Sequence, residues 1–216
     1  MGALYIVSTP IGNLEDITIR AQKTLASVDL VLCEDTRRTS RLTDTKLLRF
    51  NEHTEEKLVP EIIDMLAAKD IALVSDAGTP LISDPGYKLV SEAIKRGIKV
   101  VSIPGPTAAI AALTSSGLPT NHFMFLGYPP EKQSHRIKLF SSLPKDVTII
   151  FYCAPHKLRQ TLEDMQTVFG DIPIVIAREL TKVHEEVWKG KILGAINHFP
   201  DPKGELVLLF QKNLLS

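Results

Sequence analysis

Two carboxylates and two guanidinium groups stand side by side in Glu34-Asp35-Thr36-Arg37-Arg38, directly after the apolar run Leu30-Val31-Leu32-Cys33. Acid and base together at a strand end can position a hydroxyl and take its proton. The same groups can also pair with one another on a wet surface. A second charged group, Arg178-Glu179-Leu180-Thr181-Lys182, follows the run Pro173–Arg178. From Arg37 through Arg38, Arg41, Lys46 and Arg49 the only acid is Asp44, a pattern suited to phosphate contact or to a solvated loop.

Three glycine- and proline-rich loops each follow a short apolar run. Thr9-Pro10-Ile11-Gly12-Asn13 follows Leu4–Val7. Ser75-Asp76-Ala77-Gly78-Thr79-Pro80-Leu81-Ile82-Ser83-Asp84-Pro85-Gly86 follows Ile71–Val74. Pro104-Gly105-Pro106-Thr107-Ala108-Ala109 follows Val100–Ile103. Glycine lets a backbone approach a ligand and proline fixes the turn. Loops leaving the carboxyl ends of parallel strands line the ligand crevice of an open α/β sheet. Such a lining of backbone groups and small side chains suits a ligand with a ribose, an adenine and an amino-acid end. Asp76 can accept from ribose hydroxyls, face a cationic ligand, or simply cap the turn before Gly78.

The Gly-x-Gly-x-x-Gly fingerprint and the phosphate loop ending in Gly-Lys-Ser/Thr are both absent. His53 has no cysteine or histidine at metal spacing, so no metal is expected there. Tyr152 ends an apolar run and can wall a pocket or pack in the core. His156 and Arg159 follow it on a helical pattern.

The elements that must hold these groups alternate. In the first half, strands are expected at 3–8, 29–33, 71–75 and 99–103, with helices at 15–27, 55–68, 85–96 and 107–115. That alternation argues for a mostly parallel sheet covered on both faces. The second half reads as helix 132–142, strand 147–153, helix 155–168, strands 173–178 and 183–189, helix 190–198 and strand 205–210. A composition shift between Gly117-Leu118-Pro119 and Gly127-Tyr128-Pro129-Pro130 suggests an amino-terminal α/β domain over 1–117, a linker over 118–130 and a carboxy-terminal α/β domain over 131–216.

The 216 residues carry net charge +0 and are 44% hydrophobic, so polyanion binding would need a local patch rather than global charge. Two cysteines without metal or disulfide spacing fit a reducing cytoplasm. No charged leader precedes the first strand, and no apolar run reaches membrane-spanning length.

The loops and the charged segments fall in a familiar order: Thr9-Pro10-Ile11-Gly12-Asn13-Leu14-x-Asp16-Ile17, Glu34-Asp35-Thr36-Arg37, Asn51-Glu52-His53, the long loop Ser75–Gly86, and Ala177-Arg178-Glu179-Leu180-Thr181-Lys182. On these motifs nearly the whole chain resembles the tetrapyrrole methylase superfamily and, within it, the small-subunit ribosomal RNA methyltransferases. The resemblance implies an α/β, two-domain class III methyltransferase with S-adenosylmethionine in the interdomain cleft. It further implies a homodimer and 2′-O-methylation of a cytidine in the decoding region of 16S rRNA. Members of that group usually continue into a small helical segment, whereas this chain stops at Ser216, and its stretch between Arg41 and Leu47 is short.

On that resemblance, Pro10, Gly12, Asp76, Ala77, Gly78, Pro106, Thr107, Ala108 and Tyr152 are the expected cofactor contacts. Glu34, Asp35, Glu179 and Lys182 are the candidate bases, and Arg37, Arg38, Arg41 and Arg49 the candidate RNA contacts. Methyl transfer from a sulfonium is an in-line displacement that needs no metal, so placement of donor and acceptor carries most of it. The same superfamily also methylates tetrapyrrole carbons and, in diphthine synthase, a modified protein histidine. A nucleotide-sensing module without turnover is the alternative from another class.

Overall fold

The computed structural model describes residues 2–212, and the chain falls into two compact units, Met1–Thr107 and Ala108–Ser216.

The first unit runs β1 (Ala3–Val7), α1 (Ile19–Ser27), β2 (Leu30–Cys33), α2 (Thr36–Thr39), β3 (Leu47–Arg49), α3 (Glu52–Met65), β4 (Ile71–Val74), α4 (Tyr87–Lys95) and β5 (Lys99–Ile103). Its sheet has the order β3-β2-β4-β1-β5, and every pair in it is parallel. β2 and β4 are buried at every residue, as continuous apolar runs must be when helices cover both faces. Alternation along the strands sorts the core. Leu4, Ile6, Leu30, Leu32 and Leu73 pack with Ile62, Ile63 and Leu89 of α3 and α4. Val7, Val31, Cys33, Ala72 and Val74 pack with Ala21 and Leu25 of α1.

Local chemistry moves several expected boundaries in this unit. The helix expected over 15–27 is split: Asn13 caps a short 3₁₀ turn, Leu14–Asp16, and Thr18 caps α1 by accepting from Ala21 N at 3.0 Å. The helix expected from 55 starts at Glu52, because Asn51 and Thr54 form a reciprocal capping box. Gly86 precedes α4 without a side chain to cap it, and the buried Glu55 of α3 supplies the acceptor instead, taking Lys88 N–H at 2.9 Å. The basic stretch from Arg37 to Arg49 runs from within α2 to the end of the edge strand β3.

The second unit contains α5 (Ala108–Ser116), β6 (Phe123–Phe125), α6 (Gln133–Ser142), β7 (Thr148–Cys153), α7 (Pro155–Phe169), β8 (Pro173–Arg178), β9 (Glu186–Lys191), α8 (Ile192–His198) and β10 (Leu206–Phe210). Its sheet is mixed, in the order β6-β7-β10-β8-β9, with only β6 and β7 parallel. One face packs against α6, α7 and α8 through Phe151, Ile176, Leu208 and Phe210. α5 packs on β7, β8, β9 and β10, which is why the division of the chain falls before α5 whereas the composition shift lies after it. The segment expected as a linker holds β6, paired to β7 from Phe123↔Thr148 to Phe125↔Ile150. The strand expected over 183–189 begins at Glu186.

A buried ion pair ties α6 to α7. Arg136 Nε donates to Asp164 Oδ2 at 2.6 Å, and Gln133 donates to Asp164 Oδ1 at 2.7 Å. Arg136 Nη1 also donates to the carbonyls of Pro130 and Glu131, anchoring the chain that enters α6.

Candidate active site

The three glycine- and proline-rich loops leave the carboxyl ends of β1, β4 and β5, which are adjacent in the sheet in the order β4-β1-β5. Adjacency makes them one structure. Thr9 and Gly78 exchange two backbone bonds, N to O at 2.9 and 3.1 Å. Thr79 Oγ1 donates to Pro106 O at 3.0 Å and lies 2.9 Å from Ser8 Oγ. Thr79 has one hydroxyl hydrogen, already committed to Pro106, so Ser8 is the donor in that second contact.

Two glycines allow the approach. Gly78 has φ +93°, and a Cβ there would lie 3.2 Å from Ile11 Cγ2 and 3.5 Å from Pro106 O. A Cβ on Gly105 would lie 2.8 Å from Ser8 Cβ. Pro10 is buried, Asp76, Ala77, Pro106 and Thr107 are half-buried, and Gly12 is exposed.

The long loop after β4 is closed on itself by the Ser75 hydroxyl, which contacts Asp84 Oδ2. Leu81 and Ser83 hold positive φ, 72° and 63°. Strained residues of that kind persist where the surroundings over-determine them, commonly at ligand sites. Burial pushes the Asp84 carboxyl above its ordinary range against the Ser75 hydrogen bond, and the nearby Glu34 and Asp76 charges push it further.

β2 lies beside β4, and its loop joins the same rim. Asp76 Oδ1 accepts Asp35 N–H at 3.0 Å. The Asp35 side chain caps α2 by accepting Arg37 N–H at 2.9 Å, and the Arg37 guanidinium folds back on it, Nε to Oδ1 at 3.0 Å and Nη2 to Oδ2 at 2.7 Å. The Arg37 hydrogen bonds hold Asp35 at a pKa of about 2. Arg38 Nε stands 4.0 Å from Asp76 Oδ2. Glu34 is exposed beside them. Arg41 and Arg49 are exposed, and neither makes an ion pair among the described residues. The structure therefore gathers Glu34, Asp35, Arg37, Arg38 and Asp76 at one rim, with Arg49 on the edge strand β3.

Glu179 and Lys182 meet in the second unit. Lys182 Nζ donates to Glu179 Oε1 at 2.8 Å and to Glu205 Oε2 at 2.9 Å, and Glu205 N–H donates to Glu179 Oε1 at 2.9 Å. Glu179 sits at φ 51°, and Gly204 opposite leaves the space its carboxylate fills. Partial burial lowers the Lys182 pKa, but its two carboxylate bonds outweigh that and raise it overall. Lys182 is thus a committed ammonium rather than a free amine. Tyr152 is half-buried on β7, edge-on to Phe125 at 4.8 Å and to Tyr128 at 5.8 Å, while Ala108 opens α5.

Sequence inspection missed Ser8, Thr79, Gly105 and Asp84, which lock the loops. Hydroxyl residues inside or directly before glycine- and proline-rich segments are the signal that would have found Ser8 and Thr79. It also missed Glu186, held between Arg178 at 3.1 Å and His198 at 2.6 Å. Both cysteines are free, and burial raises both thiols, Cys153 to about 11, so neither is a ready nucleophile. Among the described residues no three His, Cys, Asp or Glu side chains are grouped as metal ligands, and no helix is long and apolar enough to cross a membrane.

Residues 3–194 match the family model of the tetrapyrrole (corrin/porphyrin) methylases. A relative from Thermotoga maritima, named Ribosomal RNA small subunit methyltransferase I, is 47% identical, with 97% of this chain and 98% of the relative covered. A relative of the same name from Halalkalibacterium halodurans is 46% identical, with 98% of this chain and 76% of the relative covered. Among solved structures, uroporphyrin-III C-methyltransferase from Thermus thermophilus complexed with S-adenyl homocysteine aligns at TM-score 0.71 and 15% identity, with 98% of each chain covered.

Proposed function

The chain belongs to the tetrapyrrole (corrin/porphyrin) methylases, and from that premise we propose that it transfers a methyl group from S-adenosylmethionine to small-subunit ribosomal RNA. The acceptor we assign is the 2′-hydroxyl of a cytidine in the decoding region of 16S rRNA. The observation that carries this is the likeness, over nearly the whole chain, to relatives named for small-subunit ribosomal RNA methylation. On this reading the protein works in the cytoplasm as a homodimer, with the small ribosomal subunit as its partner.

The locked loops of the first unit fit the cofactor. Gly78 and Gly105 keep side chains out of the junction, leaving backbone groups at its surface. The carboxylates of Asp76 and Asp84 on the long loop have the sign that suits a cation. When bound, S-adenosylmethionine supplies an electrophilic methyl group on a positively charged sulfur. Pro10, Gly12, Ala77, Pro106 and Thr107 would then hold it through backbone contacts, and the Thr79 hydroxyl bridge would keep their spacing fixed. Placement of donor and acceptor at attack distance is where the protein contributes most. Glu179 and Lys182 are already engaged with each other, which favours a positioning role for that pair.

The test is transfer of labelled methyl from S-adenosylmethionine to small subunits lacking the modification. The expected product is 16S rRNA labelled at a cytidine whose phosphodiester resists alkaline cleavage. Label on a base overturns the 2′-oxygen assignment. Label on a tetrapyrrole or on a modified protein histidine, with none on rRNA, moves the chain to the other chemistries of its family. Cofactor binding with no turnover on any of these substrates leaves a sensing module.

A further inference from the structure

Arg37 and Asp35 occupy each other in a way that RNA would undo. Asp35 Oδ1 has two donors, the backbone N–H and the Nε of Arg37, but among the described residues the only donor to Oδ2 is Arg37 Nη2. The Arg37 side chain is 88% exposed and that of Asp35 25% exposed. An ion pair so wet holds weakly, whereas a phosphodiester offers the same guanidinium a two-pronged acceptor. The carboxylate would not move with the arginine. Asp35 N–H stays on Asp76, and Oδ1 stays on the Arg37 backbone as the cap of α2.

We propose that Arg37 is a substrate-released latch: an RNA phosphate takes its guanidinium, and Asp35 Oδ2 is thereby freed to accept the proton of the ribose hydroxyl. The inference rests on the methyltransferase function proposed above. In the step it serves, the 2′-oxygen lone pair forms the bond to the methyl carbon and the carbon–sulfur bond breaks, its electrons staying on sulfur. The hydroxyl proton passes to Asp35 Oδ2 and then to water. The latch keeps that carboxylate engaged until a polyanion has docked. The groups that face Asp35 are Arg37 and Arg38 of α2, Asp76 of the long loop, the adjacent Glu34 and the buried Cys33 thiol.

The test follows the Asp35 carboxyl carbon by NMR in the full chain, assigned by loss of its signal in Asp35→Asn. The ligand is a short oligocytidylate, since the contact is to phosphate and carries no sequence information. With the oligonucleotide bound, the Asp35 titration midpoint should rise by about half a pH unit. Arg37→Gln should give the same rise with no RNA present. Binding seen at other resonances with the Asp35 midpoint unmoved overturns the latch, and so does failure of the oligonucleotide to reach Arg37 at millimolar concentration.

Single-turnover methylation of small subunits separates the two levels. If the wild-type chain methylates rRNA and Asp35→Asn slows it by at least about a hundredfold, Asp35 is the acceptor. If the wild type methylates but Asp35→Asn costs less than about threefold, well short of the general-base range, the latch falls and the function stands. If the wild type methylates no rRNA, the function falls with it.

Discussion

Asp76 Oδ1 accepts the backbone N–H of Asp35 at 3.0 Å, across 41 residues of sequence. The loop after β4 and the loop after β2 are therefore fixed to one another before any ligand arrives. The bond also brings two carboxylates close together, and that is tolerable because Arg37 and Arg38 lie against the same pair.

Asp76→Ala removes the acceptor and leaves Asp35 N–H without its partner, which should cost about 1 kcal/mol in urea unfolding. Cofactor affinity measured by calorimetry should fall with it. Asp76→Asn keeps an oxygen in place and should retain most of the stability. If the two variants are equally stable, the bond does not hold the loops together.

Gly78→Val and Gly105→Ala should both weaken S-adenosylmethionine binding, for different reasons. The first puts a β-branched residue at φ +93°, where it is strained by about 1–3 kcal/mol. The second puts a methyl 2.8 Å from Ser8 Cβ and must push the β1 and β5 loops apart. Folded variants with wild-type affinity would separate these loops from the cofactor.

Arg38, Arg41 and Arg49 should contact phosphate, since they are exposed on α2, just after it and on β3 while the whole chain has net charge +0. Replacing Arg41 and Arg49, which pair with no carboxylate among the described residues, should leave cofactor affinity nearly unchanged. The slope of log affinity for the small subunit against log salt should flatten by about one unit per lost contact. An unaltered slope would mean that the charges are only solvated.

The Glu179–Lys182 pair predicts a plateau in stability with pH. The Lys182 hydrogen bond holds Glu179 below its ordinary 4.5, so that contribution is complete above pH 4.5 and lost as the pH falls through the folded value. Lys182 is held above its ordinary 10.5, so its contribution is complete below pH 10.5 and lost on further alkalinisation. Lys182→Met should lower stability by up to about 1 kcal/mol at neutral pH. It should also weaken both limbs in a melting-temperature profile; limbs unchanged from wild type would show the pair to be energetically idle.

Asp164→Ala strands the buried Arg136 guanidinium and should cost about 3–5 kcal/mol. Replacing both by apolar residues of similar volume should restore much of that in a thermal melt. No recovery in the double variant would assign the cost to packing instead.

The apolar runs showed where the strands lie, and 99–103 and 173–178 fall at the bounds their sequences give. β3 was invisible because it has three residues and carries Arg49. Strand direction was equally hidden: nothing in Leu206–Phe210 announces that both its partners are antiparallel. The glycines and prolines marked the three loops, since backbone freedom is written locally. What joins the loops is not local. Ser8 meets Thr79 across 71 residues and Thr79 meets Pro106 across 27, and nothing in either neighbourhood announces the other. The pairing of Asp35 with Arg37 and of Lys182 with Glu179 is local, two and three residues apart, and was legible as one of two readings, whereas the backbone bond from Asp35 to Asp76 was not.

In each sheet a strand from one end of the chain lies in the interior. β1 lies between β4 and β5, so it has no neighbour until Ile71 has been synthesised and gains its second only with Lys99. β10 follows every other strand of its sheet yet lies between β7 and β8, buried at all five residues. Neither sheet can therefore close progressively as the chain emerges from the ribosome. The first sheet holds β1 unpaired until β4 emerges, and the second holds β7 and β8 open on one side until β10 does, which favours slow folding and a window for aggregation. A truncation that removes Leu206–Phe210 would open the second sheet through its middle rather than trim its edge.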